Sequence, residues 1–159
     1  MKWLRKGAYN TVKELVQANT GMSANDLAYD ARRYHYPGIK EAAELFMDHI
    51  KHGSKILVWC DYDTDGVDCK FIMSYTLARP MKIRNIEILC PGRYSDGYGI
   101  KPSIVEQFAG TDLLVLCDNG IAAIEAVDLA REMGMDVIIL DHHDPRVIEG
   151  QVVMPNANV

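Results

Sequence analysis

Short runs of four or five apolar residues recur along the last two thirds of the chain, and each run ends at polar residues. Runs of this length are typical of strands that are buried on both faces of a parallel sheet. Segments with apolar residues at helical spacing separate them. The predicted strands are residues 56–60, 86–90, 113–117, 137–140 and 152–154, and the predicted helices cover about residues 67–78, 101–108 and 122–133.

This alternation of strand and helix indicates βαβ units with right-handed crossovers. We therefore predict an α/β fold, a three-layer α/β/α arrangement with a mostly parallel sheet of about five strands. A helical N-terminal segment precedes it.

Residues 1–53 carry the pattern of that helical segment, with apolar residues at helical spacing in three places, residues 12–16, 27–31 and 42–50. Pro37 and Gly38 are typical of the start of the third helix, and Gly53 is typical of its end. We expect a helical lead-in over residues 1–53 and an α/β domain over residues 54–159.

The composition agrees with one buried domain in a chain of 159 residues, of which 48% are hydrophobic and 25% charged. No apolar run approaches the roughly 20 residues that cross a bilayer, so we expect no membrane partner and a cytoplasmic location. The four cysteines form no Cys-x-x-Cys pair, and we expect them to be reduced and buried. The formal charge of -5 argues against non-specific binding to nucleic acid, although cations bound at clustered carboxylates would offset it.

The candidate chemistry lies where three predicted strands end. Asp61, Asp63 and Asp65 have a spacing of two, so an extended segment would place them on one face, and Gly66 would permit a tight turn into the next helix. The other two motifs are Asp118-Asn119-Gly120 and Asp141-His142-His143. Taken alone, each motif is ordinary: an acidic turn, a glycine turn, or histidines at a strand end. Together they meet at one sheet edge, and mixed carboxylate and imidazole ligands suit manganese or magnesium better than structural zinc.

A glycine-rich loop reaches the same edge after the second predicted strand. In it Arg93 has the fork geometry that binds phosphate, and Tyr98, between two glycines, has a ring that can stack on a base or sugar. A plain glycine-rich loop is the alternative interpretation.

These motifs resemble those of the DHH phosphoesterases, in particular the RecJ-like branch of single-strand exonucleases. The resemblance runs from about residue 38 to residue 159. The motifs that carry it are Asp61-Tyr62-Asp63-Thr64-Asp65-Gly66, Arg93 with Gly97-Tyr98-Gly99, Asp118-Asn119-Gly120-Ile121, and Asp141-His142-His143.

The resemblance implies two manganese or magnesium ions. Asp63, helped by Asp61, would bind the first ion, and Asp118 would bridge both. Asp65 and His142 would bind the second.

It also implies roles at the substrate. His143 would contact the scissile phosphate, Asp141 would orient the imidazoles, and Arg93 and Tyr98 would bind the nucleotide. The implied reaction is the 5′ to 3′ hydrolysis of single-stranded DNA by metal-activated water, which releases 5′-mononucleotides. The partner would be single-stranded nucleic acid, DNA rather than RNA.

The sequence departs from the family pattern at its end. Members place a further metal-binding aspartate beyond the fifth strand and clamp the substrate with a second, C-terminal domain, and neither is found by residue 159. We therefore expect either the catalytic core of a larger exonuclease, with that domain or replication and repair proteins as partners, or a natural single-domain relative. The isolated chain would be inactive if the second ion depends on the missing aspartate. Two alternatives stay open. One is a phosphodiesterase for short oligonucleotides or cyclic dinucleotides, and the other is a non-catalytic module that binds single strands or replication partners.

Overall fold

The computed structural model describes residues 9–21, 23, 36–95 and 97–159. The chain divides into two compact units, Met1–Pro37 and Gly38–Val159. The second unit includes the helix that we predicted as the last part of the lead-in. None of the helices in the described ranges is long and apolar enough to cross a membrane.

The first unit contributes one described helix, α1 (Val12–Thr20). Thr11 caps its first turn, because the side-chain oxygen accepts a hydrogen bond from the Glu14 backbone N–H at 3.2 Å. Gly21 ends the helix in the left-handed conformation, with φ 72°. The helix that the pattern at residues 27–31 predicts lies outside the described residues.

From its first helix to the strand Asp136–Leu140, the second unit alternates helices and strands as predicted, and a further strand, Arg146–Ile148, was not predicted. Its elements are α2 (Ile39–His52), β1 (Ile56–Cys60), α3 (Thr64–Ile72), β2 (Ile86–Leu89), α4 (Pro102–Gln107), β3 (Leu113–Cys117), α5 (Ile124–Glu132), β4 (Asp136–Leu140), β5 (Arg146–Ile148) and β6 (Gln151–Val153). A π-helical segment, Met73–Ala78, continues α3. Gly38 and Gly53 cap α2 at its two ends, which confirms the prediction from the sequence.

Strands β1 to β4 form one parallel sheet in the order β2-β1-β3-β4. The two central strands, β1 and β3, are buried along their whole length, as expected for apolar runs covered on both faces. Successive side chains of each strand point to opposite faces, so alternate residues of one run belong to two different cores.

Helices cover both faces of the sheet and confirm the α/β fold class. One face packs against α4 and α5, through residues such as Leu114 of β3 and Val127 of α5. The other packs against α2 and the segment that continues α3, through residues such as Val115 of β3 and Phe46 of α2.

The predicted fifth strand forms at β6 but does not join the parallel sheet. It pairs with β5 in a separate antiparallel hairpin, because Val147 lies opposite Val152 across a tight connection. The outer edge of β4 is instead covered by the last residues: the Asn158 backbone N–H donates to the Val137 carbonyl at 2.9 Å, and the Ile139 N–H donates to the Val159 carbonyl at 2.9 Å. The parallel sheet therefore has four strands instead of about five.

An ion-pair cluster joins three elements at the amino end of β4. Asp136 lies 3.1 Å from His49 of α2 and 2.6 Å from Arg131 of α5, and it accepts a hydrogen bond from Asn158 at 2.8 Å. Burial opposes ionisation of Asp136, but its hydrogen bonds from Arg131 and His49 hold its pKa below the ordinary value. The cluster fixes the end of the sheet that lies opposite the candidate site.

The core predicts a large difference between two leucine truncations. Leu114→Ala removes a side chain that is 1% exposed and should lower the free energy of unfolding by about 2–5 kcal/mol, measured by urea denaturation. The control Leu15→Ala, at a side chain that is 44% exposed, should change it by less than about 0.5 kcal/mol. Equal losses for the two variants would contradict the packing described here.

Candidate metal centre

The predicted site residues converge at the carboxyl ends of β1, β3 and β4. The chain crosses from one side of β1 to the other between β2 and β3, so the crevice above β1 and β3 is a switch point of the sheet, where open α/β sheets bind ligands. Asp61 follows β1 directly, Asp118 follows β3, and Asp141 follows β4. The adjacent strand ends place the three aspartates at one edge.

Asp61 and Asp118 are buried carboxylates with few hydrogen-bond donors around them. Their side-chain oxygens are shielded from solvent and lack hydrogen bonds of good geometry from the described residues, although the His142 ring approaches Asp118. Burial raises the pKa of Asp61, and the nearby Asp63 raises it further. Burial also raises the pKa of Asp118, followed by the charges of Asp65 and Asp63. A buried carboxylate without a donor is costly unless a cation neutralises it, so the donor set fits a divalent metal ion.

The backbone around Asp118 is shaped to hold its carboxylate in the crevice. Asp118 has a left-handed conformation, with φ 61°, which is uncommon for residues other than glycine. Gly120 follows with φ 114°, and a Cβ there would lie 2.6 Å from Leu116 Cδ1, so only glycine fits. The Asp61 backbone N–H donates to the Cys117 carbonyl at 3.2 Å and joins the two strand ends.

Asp63 and Asp65 lie at the start of α3, which corrects the prediction of one extended acidic segment. The helix begins at Thr64, three residues earlier than predicted, because Asp63 caps it: its side chain accepts a hydrogen bond from the Gly66 N–H at 3.4 Å. Asp65 therefore belongs to the first helical turn. The hydrogen bond from its own backbone N–H lowers the pKa of Asp65, as does the charge of His142.

Gly66 also has a different role from the predicted one. It lies inside α3 with ordinary helical geometry, but a Cβ there would lie 2.4 Å from the backbone oxygen of Asp61. The absence of a side chain lets the first turn of α3 approach the end of β1. Close approach, and not a left-handed turn, requires glycine here.

His142 joins the carboxylates of two different elements. Its Nε2 atom lies 3.1 Å from Asp118 Oδ1 and 3.5 Å from Asp65 Oδ2. Its side chain is otherwise exposed, so the ring borders both the crevice and solvent.

Asp141 orients the second histidine. Its Oδ1 atom lies 2.7 Å from His143 Nδ1 and also accepts the backbone N–H groups of His142 and His143, while Oδ2 accepts the Ile121 N–H at 2.9 Å. Although burial opposes it, the hydrogen bonds from Ile121 and His143 lower the pKa of Asp141. The hydrogen bond to Asp141 in turn raises the pKa of His143. The carboxylate fixes Nδ1, which leaves His143 Nε2 for other partners.

The donor atoms form two overlapping groups among the described residues. In one, ligand atoms of Asp61, Asp63 and Asp118 all lie within 4.8 Å of one another, and in the other Asp118 combines with His142 and His143 on the same criterion. Asp118 is common to both. The geometry brings His143 into the second group, whereas Asp65 reaches it only through its 3.5 Å approach to His142.

The predicted substrate-binding residues, Arg93 and Tyr98, lie beside the two ligand groups and contact the rings of Tyr62 and His143. The Arg93 guanidinium lies 5.4 Å from the centre of the Tyr62 ring, Tyr62 contacts Tyr98 edge to face at 6.5 Å, and Tyr98 contacts His143 in the same way at 5.7 Å. Burial, followed by the charge of Asp141, raises the pKa of Tyr98 to about 12, so its hydroxyl keeps its proton at neutral pH.

A cleft of about 630 Å³ borders the site, and Tyr98, Asp141 and His143 are among the residues that line it. Ile121 and Lys101 also line the cleft. A space of this size and mixed polarity is typical of small-molecule sites.

Sequence reasoning missed two residues of the site. Asn119 is fully buried, and its side-chain amide donates to the Trp59 carbonyl at 3.2 Å and to the Cys117 carbonyl at 2.9 Å, so it ties the ends of β1 and β3 together. Its position directly after the strand-end Asp118 was the available signal. Tyr62 carried no signal, since its role depends on Arg93 and Tyr98, which are remote in sequence.

A family model and curated proteins show what this chain is similar to. The family model described as "DHH family, N-terminal domain" matches residues 55–158. The single-stranded-DNA-specific exonuclease RecJ of Escherichia coli (strain K12) is 37% identical over 110 residues, which are 68% of this chain and 19% of that protein. The protein of the same name from Bacillus subtilis (strain 168) is 38% identical over 112 residues, which are 68% of this chain and 14% of that protein. The chain thus spans less than one fifth of the length of these curated relatives.

Solved structures give the same result. A crystal structure of exonuclease RecJ bound to manganese superposes with a TM-score of 0.68 at 29% identity and covers 78% of this chain and 31% of that one. RecJ in complex with Mn²⁺ from Thermus thermophilus has a TM-score of 0.67 at 24% identity and covers 91% of this chain and 20% of that one, a likeness that concerns the fold alone.

The close approach of α3 to β1 predicts an unusual effect of Gly66→Ala. Helix propensity alone favours alanine by about 1 kcal/mol, but the new Cβ would contact the Asp61 backbone, so we expect a loss of about 1–3 kcal/mol in the free energy of unfolding. Urea denaturation measures it, with the exposed Asp68→Ala in the same helix as control. A stabilised Gly66→Ala variant would contradict the contact.

The raised pKa of Asp118, caused first by burial, predicts that the charged form destabilises the metal-free fold. Because the pKa in the folded state lies above that of the unfolded chain, stability falls as pH rises through it. Asp118→Asn should therefore melt at a higher temperature than the unsubstituted chain at pH 7.5 in EDTA, and the difference should shrink as pH falls. Asp68→Asn is the matched control, and a lower melting temperature for Asp118→Asn at pH 7.5 would contradict the prediction.

Proposed function

The chain belongs to the DHH family, and from that premise we propose that it is the metal-binding catalytic domain of a RecJ-like exonuclease. The proposed substrate is single-stranded DNA, hydrolysed from its 5′ end to 5′-mononucleotides. The observation that carries the proposal is the pair of ligand groups that share Asp118, since two ions joined by one carboxylate are the usual arrangement for displacement at phosphorus. The proposed catalytic domain covers residues 54–159.

The proposed cofactor is manganese, with magnesium as the substitute. The support lies in the donor set of carboxylate and imidazole groups, in the buried oxygens of Asp61 and Asp118, and in the manganese-bound RecJ structure to which the chain is similar. When bound, the ions would polarise water and the phosphate oxygens.

We assign the metal ligands as the sequence predicted them. Asp63 and Asp61 would hold the first ion, Asp118 would contribute to both, and His142 would hold the second. Asp65, whose carboxylate lies 3.5 Å from His142 Nε2, would join His142 there. Carboxylates that repel each other without a cation become ligands that hold it once it is bound.

The remaining polar groups are assigned to the substrate. Asp141 binds His143 through Nδ1, which leaves Nε2 of the same ring free of Asp141. We assign Nε2 the role of donating a hydrogen bond to a non-bridging oxygen of the scissile phosphate. The protonated form that Asp141 favours, by raising the pKa of His143, adds positive charge where negative charge develops.

Arg93 and Tyr98 are assigned to the nucleotide nearest the reacting bond. The guanidinium of Arg93 is exposed above the Tyr62 ring, a position from which it forks onto a phosphate. The half-exposed ring of Tyr98 offers a stacking surface for a base, and its protonated hydroxyl is a donor. Stacking is tolerant of base identity, so this contact would not select one nucleotide over another.

Manganese binding and hydrolysis test the proposal together. Calorimetry on the chain should show two manganese ions bound, and Asp118→Ala should lose both because both groups share this carboxylate. A 5′-labelled single strand should be degraded in manganese, and Asp118→Ala should reduce the rate at least about 100-fold, the scale expected when a group that stabilises developing charge is removed.

The control is Asp68→Ala, at an exposed carboxylate of the same helix as Asp65, which should bind two ions and degrade DNA as the unsubstituted chain does. Unchanged hydrolysis by Asp118→Ala would refute the metal mechanism. Faster cleavage of a dinucleotide than of the long strand would assign the domain to short substrates, and metal-independent binding of single strands without hydrolysis would assign it to the non-catalytic class.

A further inference from the structure

Three cysteines that are far apart in sequence form a row across three adjacent strands. Cys60 ends β1 and is the register partner of Cys117, which ends β3. On the other side of β1, Trp59 pairs with Leu89, so Cys90 lies beside Cys60 one residue beyond the last pair. We call Cys90, Cys60 and Cys117 the thiol row. Nothing in the proposed hydrolysis uses it.

The three side chains of the row point to the same face of the sheet. All belong to the core that α2 and α3 cover. The Cys60 thiol interacts with the thiols of both Cys117 and Cys90. Cys60 and Cys117 are buried, whereas Cys90 is partly exposed, and its thiol lies 4.0 Å from the Gly66 carbonyl oxygen at the start of α3. Cys90 is therefore the member of the row that a reagent in solution reaches first.

The spacing of the row favours a bond between two thiols over a metal ion bound by three. Adjacent strands lie about 4.8 Å apart, so the outer members, Cys90 and Cys117, are separated by about 10 Å. Among the described residues, no three cysteine sulfurs lie within 4.8 Å of one another. A single strand spacing, by contrast, falls within the Cα separation of about 4.4–6.8 Å that disulfides require.

We propose that Cys90 and Cys60 are a site of thiol–disulfide exchange with low-molecular-weight disulfides such as oxidised glutathione. Cys90 gives up its proton and attacks one sulfur of the reagent, which forms a mixed disulfide and releases one glutathione thiol. Cys60 then gives up its proton and attacks the Cys90 sulfur, which forms the Cys60–Cys90 bond and releases the second glutathione thiol. Two protein thiols are oxidised and one small disulfide is reduced to two thiols.

The position of this bond gives it a consequence for the site. Asp61 follows Cys60 directly, so the bond would form one residue from a buried carboxylate of the metal centre. The exchange depends only on the thiol row. It can therefore succeed or fail independently of the proposed hydrolysis.

The test is oxidation of the folded chain with oxidised glutathione, followed by alkylation of the remaining thiols in denaturant and peptide mapping by mass spectrometry. We expect two of the four thiols to be lost and the peptides that contain Cys60 and Cys90 to be joined. Dithiothreitol should restore all four thiols.

Two serine variants make the test specific. Cys90→Ser should abolish the crosslink, and Cys69→Ser, at the other partly exposed cysteine of the same core, should leave it unchanged. The chain oxidised in urea should lose the preference for this pair. Four intact thiols, a glutathione that stays on Cys90, or a crosslink that involves Cys69 or Cys117 would each overturn the proposal.

Discussion

The burial of carboxylates within an acidic cluster is the constraint on which the rest of the site depends. Asp61 and Asp118 directly follow neighbouring strands, are almost fully shielded from water, and have few hydrogen-bond donors around them among the described residues, apart from the His142 ring beside Asp118. Such an arrangement is costly in the free protein, as the raised pKa of each group, caused first by burial, indicates. The cost is the physical basis of cation affinity, because binding a divalent ion removes the repulsion and supplies the missing partners.

The surrounding structure holds these charges in place through contacts that carry no charge. Asn119 bonds the ends of β1 and β3 to each other, and Gly66 lets α3 approach the backbone of Asp61. Gly120 fits where a Cβ would meet Leu116. Each contact restrains the backbone and so prevents the carboxylates from moving apart. The protein thereby keeps a site geometry that lowers its stability.

The two neighbouring histidines contact different carboxylates and have different roles in the proposed scheme. His142 lies at the Asp118 carboxylate and is otherwise exposed, so it is available as a ligand. His143 is fixed by Asp141, whose own burial is compensated by hydrogen bonds from Ile121 and His143. Two neighbouring residues of the same type thus have different surroundings, and a carboxylate that binds no metal in the proposed scheme decides the difference.

The sequence by itself determined the four strands of the parallel sheet, the helices around them and the sheet edge at which the candidate site residues meet. An apolar run as uniform as that of β3 is typical of a buried parallel strand, and residues that follow neighbouring parallel strands meet at one edge of the sheet. Only the tertiary structure decided what depends on distant partners. The helical position of Asp65, the contact that requires Gly66, and the strand-joining amide of Asn119 arise from packing between elements. The hairpin of β6 likewise follows from pairing with β5, which the local pattern does not encode.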